Sequence, residues 1–139
     1  MSDGTNPQDW VDVADVLARY GQALDDKDWA MLSSCFVPDA TFDYAGSGKY
    51  DSYADFEELA RATMGRYSST QHLVGSMRIT IDGDIGQARC YAQAAHVTDG
   101  NGDMRITGTS YYDDLRRTPD GWRIVSRRMV RLWGNGASR

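Results

Sequence analysis

The sequence predicts an α+β fold, with helices laid on one face of a mainly antiparallel sheet. Three observations predict it. Apolar residues recur at steps of three and four through the first part of the chain, and the period switches to two from Ser69 onward. Three turn-rich segments then divide the second stretch into four strand-like runs. With 139 residues, the chain fits one domain against a usual ~150 residues.

The helices come first. Asn6-Pro7 opens one, since Asn is a good N-cap, Pro fits the first helical position and Asp9 sits in the first turn. Trp10, Val13, Leu17, Tyr20 and Leu24 form its apolar face, and it should stop near Asp25-Asp26-Lys27. Asp28 caps a short second helix that turns Trp29, Leu32 and Phe36 inward and that Pro38 ends. Thr41 to Tyr44 reads as a short strand, followed by Gly46-Ser47-Gly48. Ser52 starts a third helix, with Asp55 as its capping-box partner and Phe56, Leu59, Ala60, Thr63 and Met64 facing in.

Four strands follow at about 70–81, 86–98, 104–117 and 121–133. Asp82-Gly83-Asp84, the loop from Asp99 to Asp103 and Thr118-Pro119-Asp120-Gly121 connect them as hairpin turns. Residues 1–6 and 134–139 read as loose tails.

The second of these strands carries Ala88, Cys90, Ala92, Ala94 and His96 on one face. Small residues ending in a histidine leave volume beneath the helices, and volume with a few polar groups is how small-molecule sites are built. The third strand repeats the idea, with Gly108 and Ser110 sharing a face with Ile106 and Tyr112. A bulky side chain such as Trp29 would instead border or fill that space.

Charge narrows the partners. The chain carries −5 overall, with about −10 in residues 1–60 and +5 in residues 61–139. Such an acidic chain is a poor binder of nucleic acid. No apolar run approaches the ~18 residues of a membrane span, and the start lacks the features of a signal peptide, so a cytoplasmic protein is expected. Cys35 and Cys90 are too few for a disulfide framework. The histidines and cysteines show no metal-ligand spacing, and there is no Gly-rich phosphate loop or nucleophile elbow. Any catalysis is then cofactor-free acid–base work. Histidine is the side chain that titrates near neutral pH, and there are only two, His72 and His96. Asp25, at the end of the first helix, is a carboxylate that would make His72 a better base if the fold brings them together. Structural roles for both remain open at this level.

The run Tyr20 to Trp29, then Phe36-Val37-Pro38-Asp39-Ala40 and Phe42-Asp43-Tyr44, resembles the opening of the SnoaL-like family of the NTF2-like (cystatin-like) superfamily. The ending, Tyr111 through Asp120-Gly121-Trp122-Arg123-Ile124, is similar to that superfamily's last hairpin. The resemblance implies a cone of three helices on a curved sheet enclosing a pocket, and a homodimer or homotrimer. Within the family the chain looks closest to the scytalone dehydratase and bile-acid 7α-dehydratase groups. That likeness implies Asp25 and His72 as catalytic pair, His96 as second histidine, and Tyr44, Tyr20 or Tyr112 as the tyrosine beside the substrate carbonyl. It puts Ser110 and Arg131 in the pocket. Leu24 stands where the family's tyrosine precedes the Asp, and Tyr112 where a pocket Asn is found. The implied activity is a cofactor-independent lyase, a dehydratase acting on a small hydrophobic hydroxylated ketone. An isomerase or cyclase working through an enolate is the nearest alternative, and a non-catalytic ligand-binding domain is another.

Overall fold

A computed structural model describes residues 6–98 and 102–135. Three helices, α1 (Pro7–Asp26), α2 (Trp29–Ser33) and α3 (Tyr53–Met64), pack on a curved, unclosed sheet. Its strands are β1 (Phe36–Tyr44), β2 (Gly48–Tyr50), β3 (Ser69–Asp82), β4 (Ile85–Val97), β5 (Met104–Thr118) and β6 (Gly121–Gly134). They lie in the order β2-β1-β6-β5-β4-β3. β3 to β6 form an antiparallel meander, and β1 joins β6 in parallel.

The helix signals act as read. The Asn6 side chain accepts from the Gln8 N–H at 2.9 Å, and Asp28 and Ser52 cap α2 and α3 likewise. At the far end of α1, Lys27 takes a left-handed conformation (φ 52°). The Asp28 N–H then reaches Ala23 O at 2.9 Å and the Lys27 N–H reaches Leu24 O at 3.1 Å. This Schellman-type closure satisfies the last carbonyls and fixes the turn that carries Asp25.

Four expectations change. Trp10 is 42% exposed, because Asp9 takes the inward position. Its carboxylate receives Arg117 through two bonds of 2.8 Å and the Trp122 ring N–H at 3.3 Å. Phe36 belongs to β1, not to α2, and Pro38 lies inside that strand. Pro is tolerated there because the pairing with β6 slips between Phe36 and Thr41, where no ladder donor is missed. The chain also stays in β6 through Gly134, and Asn135 is tied to β5 by its backbone and side chain. Residues 99–101 of the expected loop from Asp99 to Asp103, and residues 1–5 and 136–139 of the expected tails, lie outside the described residues.

Bulges decide which side chains face the helices. In β3 the register shifts between Gly75 and Arg78, with Ser76 at φ 52°. Thr70, His72 and Val74 lie half-buried before the shift, and Met77, Ile79 and Ile81 after it. One extra residue thus switches the alternation from even to odd positions. The same happens in β6, where Ile124 pairs with Leu115 but Ser126 pairs with Asp114, so Val125 is skipped.

Candidate functional site

The site lies between α1, α3 and the concave face of the sheet. Gly21 and Asp25 are four apart and share a face of α1. A Cβ at Gly21 would sit 3.2 Å from the His72 Cβ and 3.2 Å from Val74 Cγ2. Glycine therefore lets α1 press against β3, and one turn later Asp25 meets His72.

The Asp25 carboxylate is fully engaged. Oδ1 lies 2.7 Å from His72 Nδ1 and accepts from Thr70 Oγ1 at 2.9 Å, while Oδ2 accepts the His72 backbone N–H at 2.8 Å. Burial by itself would raise the pKa of this acid. The bonds from the His72 ring, its N–H and Thr70 outweigh that and hold Asp25 below the ordinary carboxylate value. An ionised Asp25 can only accept, so His72 Nδ1 carries a proton, and in the neutral tautomer of the ring the lone pair is on Nε2.

His96 stands across from His72, their rings 5.7 Å apart at 80°. Burial, with the charge of His72 as a second cause, lowers its pKa to about 4. It is a neutral imidazole at physiological pH.

A chamber of about 190 Å³ opens beside the pair. Leu24, Tyr20, Tyr44, His72 and His96 all line it, along with Ala94 from the small-residue face of β4. Tyr20 and Tyr44 hydroxyls are 2.8 Å apart and buried, and burial pushes both phenols above their ordinary pKa. Beneath them lies Arg127, whose guanidinium is 4.1 Å from the ring centres of both Tyr20 and Tyr111. Asp113 holds it with bonds of 2.7 and 2.8 Å in full burial. An adjoining vestibule of about 410 Å³ shares His96, Thr107, Thr109 and Met129 with the chamber and includes Arg131 at its rim.

Three expected pocket residues are elsewhere. Cys90 pairs with Tyr111, Ala92 with Thr109 and Ala94 with Thr107, so the odd positions of β5 face the chamber. Ser110 and Tyr112 are on the opposite face of the sheet. Ser110 Oγ accepts from Arg89 Nε at 3.3 Å, and the Tyr112 ring lies under Arg89 and Arg128. That outer face carries a larger groove of about 650 Å³, remote from the His–Asp pair. Trp29 does not line the chamber and instead stacks beneath Arg61, 4.9 Å from its ring centre. Gly21, Thr109, Asp113 and Arg127 are site residues that no local sequence signal marks, and Tyr111 stands out in the sequence only as the start of the last hairpin. Period-two alternation from Trp122 and Ile124 places Arg127 outside, and only the bulge at Val125 turns it in.

Among the described residues, no group of three His, Cys, Asp or Glu side chains could hold a metal ion. No helix of the described residues is long and apolar enough to cross a membrane.

Known proteins resemble this chain in sequence or in fold. An uncharacterized protein of Mycobacterium tuberculosis, Rv2910c, is 30% identical over 122 residues, covering 86% of this chain and 82% of that one. The scytalone dehydratase-like protein claB of Passalora fulva is 28% identical over 109 residues, 77% of this chain and 64% of that one. Among solved structures, the Kfla4162 protein of Kribbella flavida superposes with a TM-score of 0.86 at 23% identity, over 93% of this chain and 94% of that one. The hexachlorocyclohexane dehydrochlorinase LinA-type3 of Novosphingobium barchaimii superposes with a TM-score of 0.81 at 13% identity, over 94% and 93%. The SnoaL-like domain pattern matches residues 8–128, and the chain belongs to that family of the NTF2-like superfamily.

Proposed function

We propose that this protein is a cofactor-independent lyase, a dehydratase that removes water from a small hydrophobic hydroxyketone. The observation that carries the reading is a histidine held by an ionised aspartate at the wall of an apolar chamber. The scytalone dehydratase-like relative and the dehydrochlorinase of similar fold agree with it in chemical type, since dehydration and dehydrochlorination are both eliminations.

His72 Nε2 takes the proton from the carbon beside the carbonyl. Asp25 keeps Nδ1 protonated and stabilises the imidazolium that forms, a contribution of typically about 10²–10⁴-fold for a positioned base. The Tyr20–Tyr44 pair supplies an O–H to the carbonyl oxygen as the enolate develops. One hydrogen bond between two phenols uses one proton, so one O–H remains for the substrate. The buried Arg127 cation beneath the rings favours negative charge on that oxygen. The proton held on the His72 imidazolium then passes to the departing hydroxyl, directly or relayed through the neutral ring of His96 that faces it, so the C–O bond breaks with release of water and His72 returns to its neutral form.

Incubation in D₂O with a panel of cyclic hydroxyketones, read by mass spectrometry, tests this. Loss of water supports the dehydratase. Deuterium uptake without loss replaces it with an isomerase or cyclase on the same base. Neither across a broad panel removes catalysis and leaves a ligand-binding domain.

A further inference from the structure

The vestibule has a charge that the chamber lacks. Arg66, just after α3, Arg105 on β5 and Arg131 on β6 all line it. No Asp or Glu is among its described lining residues. Among the described residues, none of these three guanidiniums is ion-paired with a carboxylate, whereas Arg19, Arg61, Arg117 and Arg127 all are. Three cations from separate elements therefore converge on one opening of a protein whose net charge is −5.

Their placement follows from the register. Arg105 is the direct cross-strand partner of His96, and its charge is one of the causes that lower the His96 pKa. Thr109 pairs with Arg131, so Arg105, Thr107, Thr109 and Arg131 share the concave face. Asn135 fixes this rim, accepting from the Ile106 N–H at 2.6 Å and donating to Met104 O at 3.4 Å. Beyond residue 60 every cation is an arginine. The planar guanidinium matches carboxylate and phosphate oxygens in pairs.

We infer that the substrate is amphipathic, with a carboxylate or phosphate on the end remote from the reacting carbon, held in the vestibule by Arg66, Arg105 and Arg131. The apolar part enters the chamber, and the anionic end stays among the arginines. This rests on the proposed site but concerns binding alone, so it can fail or stand independently of the chemistry.

The test uses three unreactive probes of one shape: 4-phenylbutanoate, 4-phenylbutyl phosphate and 4-phenylbutan-1-ol. Calorimetry on the full chain compares them at low and high salt. The expected result is that at least one anion binds about tenfold or more tightly than the alcohol at low salt, as several weak exposed ion pairs together would give. The tighter anion names the headgroup. High salt and the variant R66Q/R105Q/R131Q both erase the preference while the alcohol binds as before. The milder R66Q/R131Q, which changes only exposed side chains, reduces it if the triple variant folds poorly. His72→Ala keeps the preference, which separates this inference from the catalytic one. No preference for an anion, or a preference that survives the triple variant, overturns it.

Discussion

Asp25 grips His72 at two points, the ring through Oδ1 at 2.7 Å and the backbone N–H through Oδ2 at 2.8 Å. One carboxylate thus sets the tautomer of the ring and also anchors the strand that carries it. Asp25→Asn keeps an oxygen acceptor for one of these bonds and removes the charge. We expect turnover to fall by about a hundredfold or more, the lower end of what a positioned base contributes, with the melting temperature changed far less. Steady-state kinetics beside circular dichroism measures both.

Gly21 is the reason the two meet. Alanine there favours the helix by up to ~1 kcal/mol but must displace the His72 and Val74 side chains, each 3.2 Å away. The expected outcome of Gly21→Ala is a drop in kcat with little loss of stability, because α1 can shift on β3 more cheaply than it can unfold. Unchanged kcat would show that the approach of α1 does not set the geometry of the pair.

Acid acts through two groups in different windows. His96 has its folded pKa lowered from 6.5 to about 4. Between those values the unfolded chain binds the extra proton, so stability from this group is complete above pH 6.5 and drains away as pH falls towards 4. Asp25 is also depressed, so its contribution is lost only at lower pH, as acidity passes below the unfolded carboxylate value and through the folded one. His96→Gln should flatten the melting-temperature profile between pH 6.5 and 4 and leave the steeper acid limb, which Asp25→Asn should weaken.

The buried Asp113–Arg127 pair carries a different cost. Asp113→Ala leaves an uncompensated guanidinium beneath the tyrosines and should destabilise by about 3–5 kcal/mol. Replacing both, as Asp113→Leu with Arg127→Met, should recover much of that in urea unfolding while turnover stays low, since the charge under Tyr20 and Tyr111 is gone. Full turnover in a folded double variant would remove Arg127 from the chemistry.

Much of this was legible in the residues because the signals were local. Caps and apolar spacing define α1 to within a residue, and the small face of β4 led to the chamber that Ala94 and His96 line. The errors share a physical origin. Alternation assigns faces only until a bulge, and the skip at Val125 hides Arg127. Ser110 and Tyr112 were a matter of one-residue parity, which the pairing of Cys90 with Tyr111 decides. Trp10 lost its inward place to an ion pair reaching 108 positions along the chain, and Gly21 matters only because of what lies across from it on β3.

In the proposed elimination His72 is the base. This role is tested most directly by comparing the native chain with His72→Ala on one turned-over hydroxyketone in D₂O, with mass spectrometry following both water loss and deuterium at the carbon beside the carbonyl. With His72 as the base, the variant folds, still binds ligand in the chamber, and loses both signals by about a hundredfold or more. A folded variant that eliminates water at the native rate would contradict it.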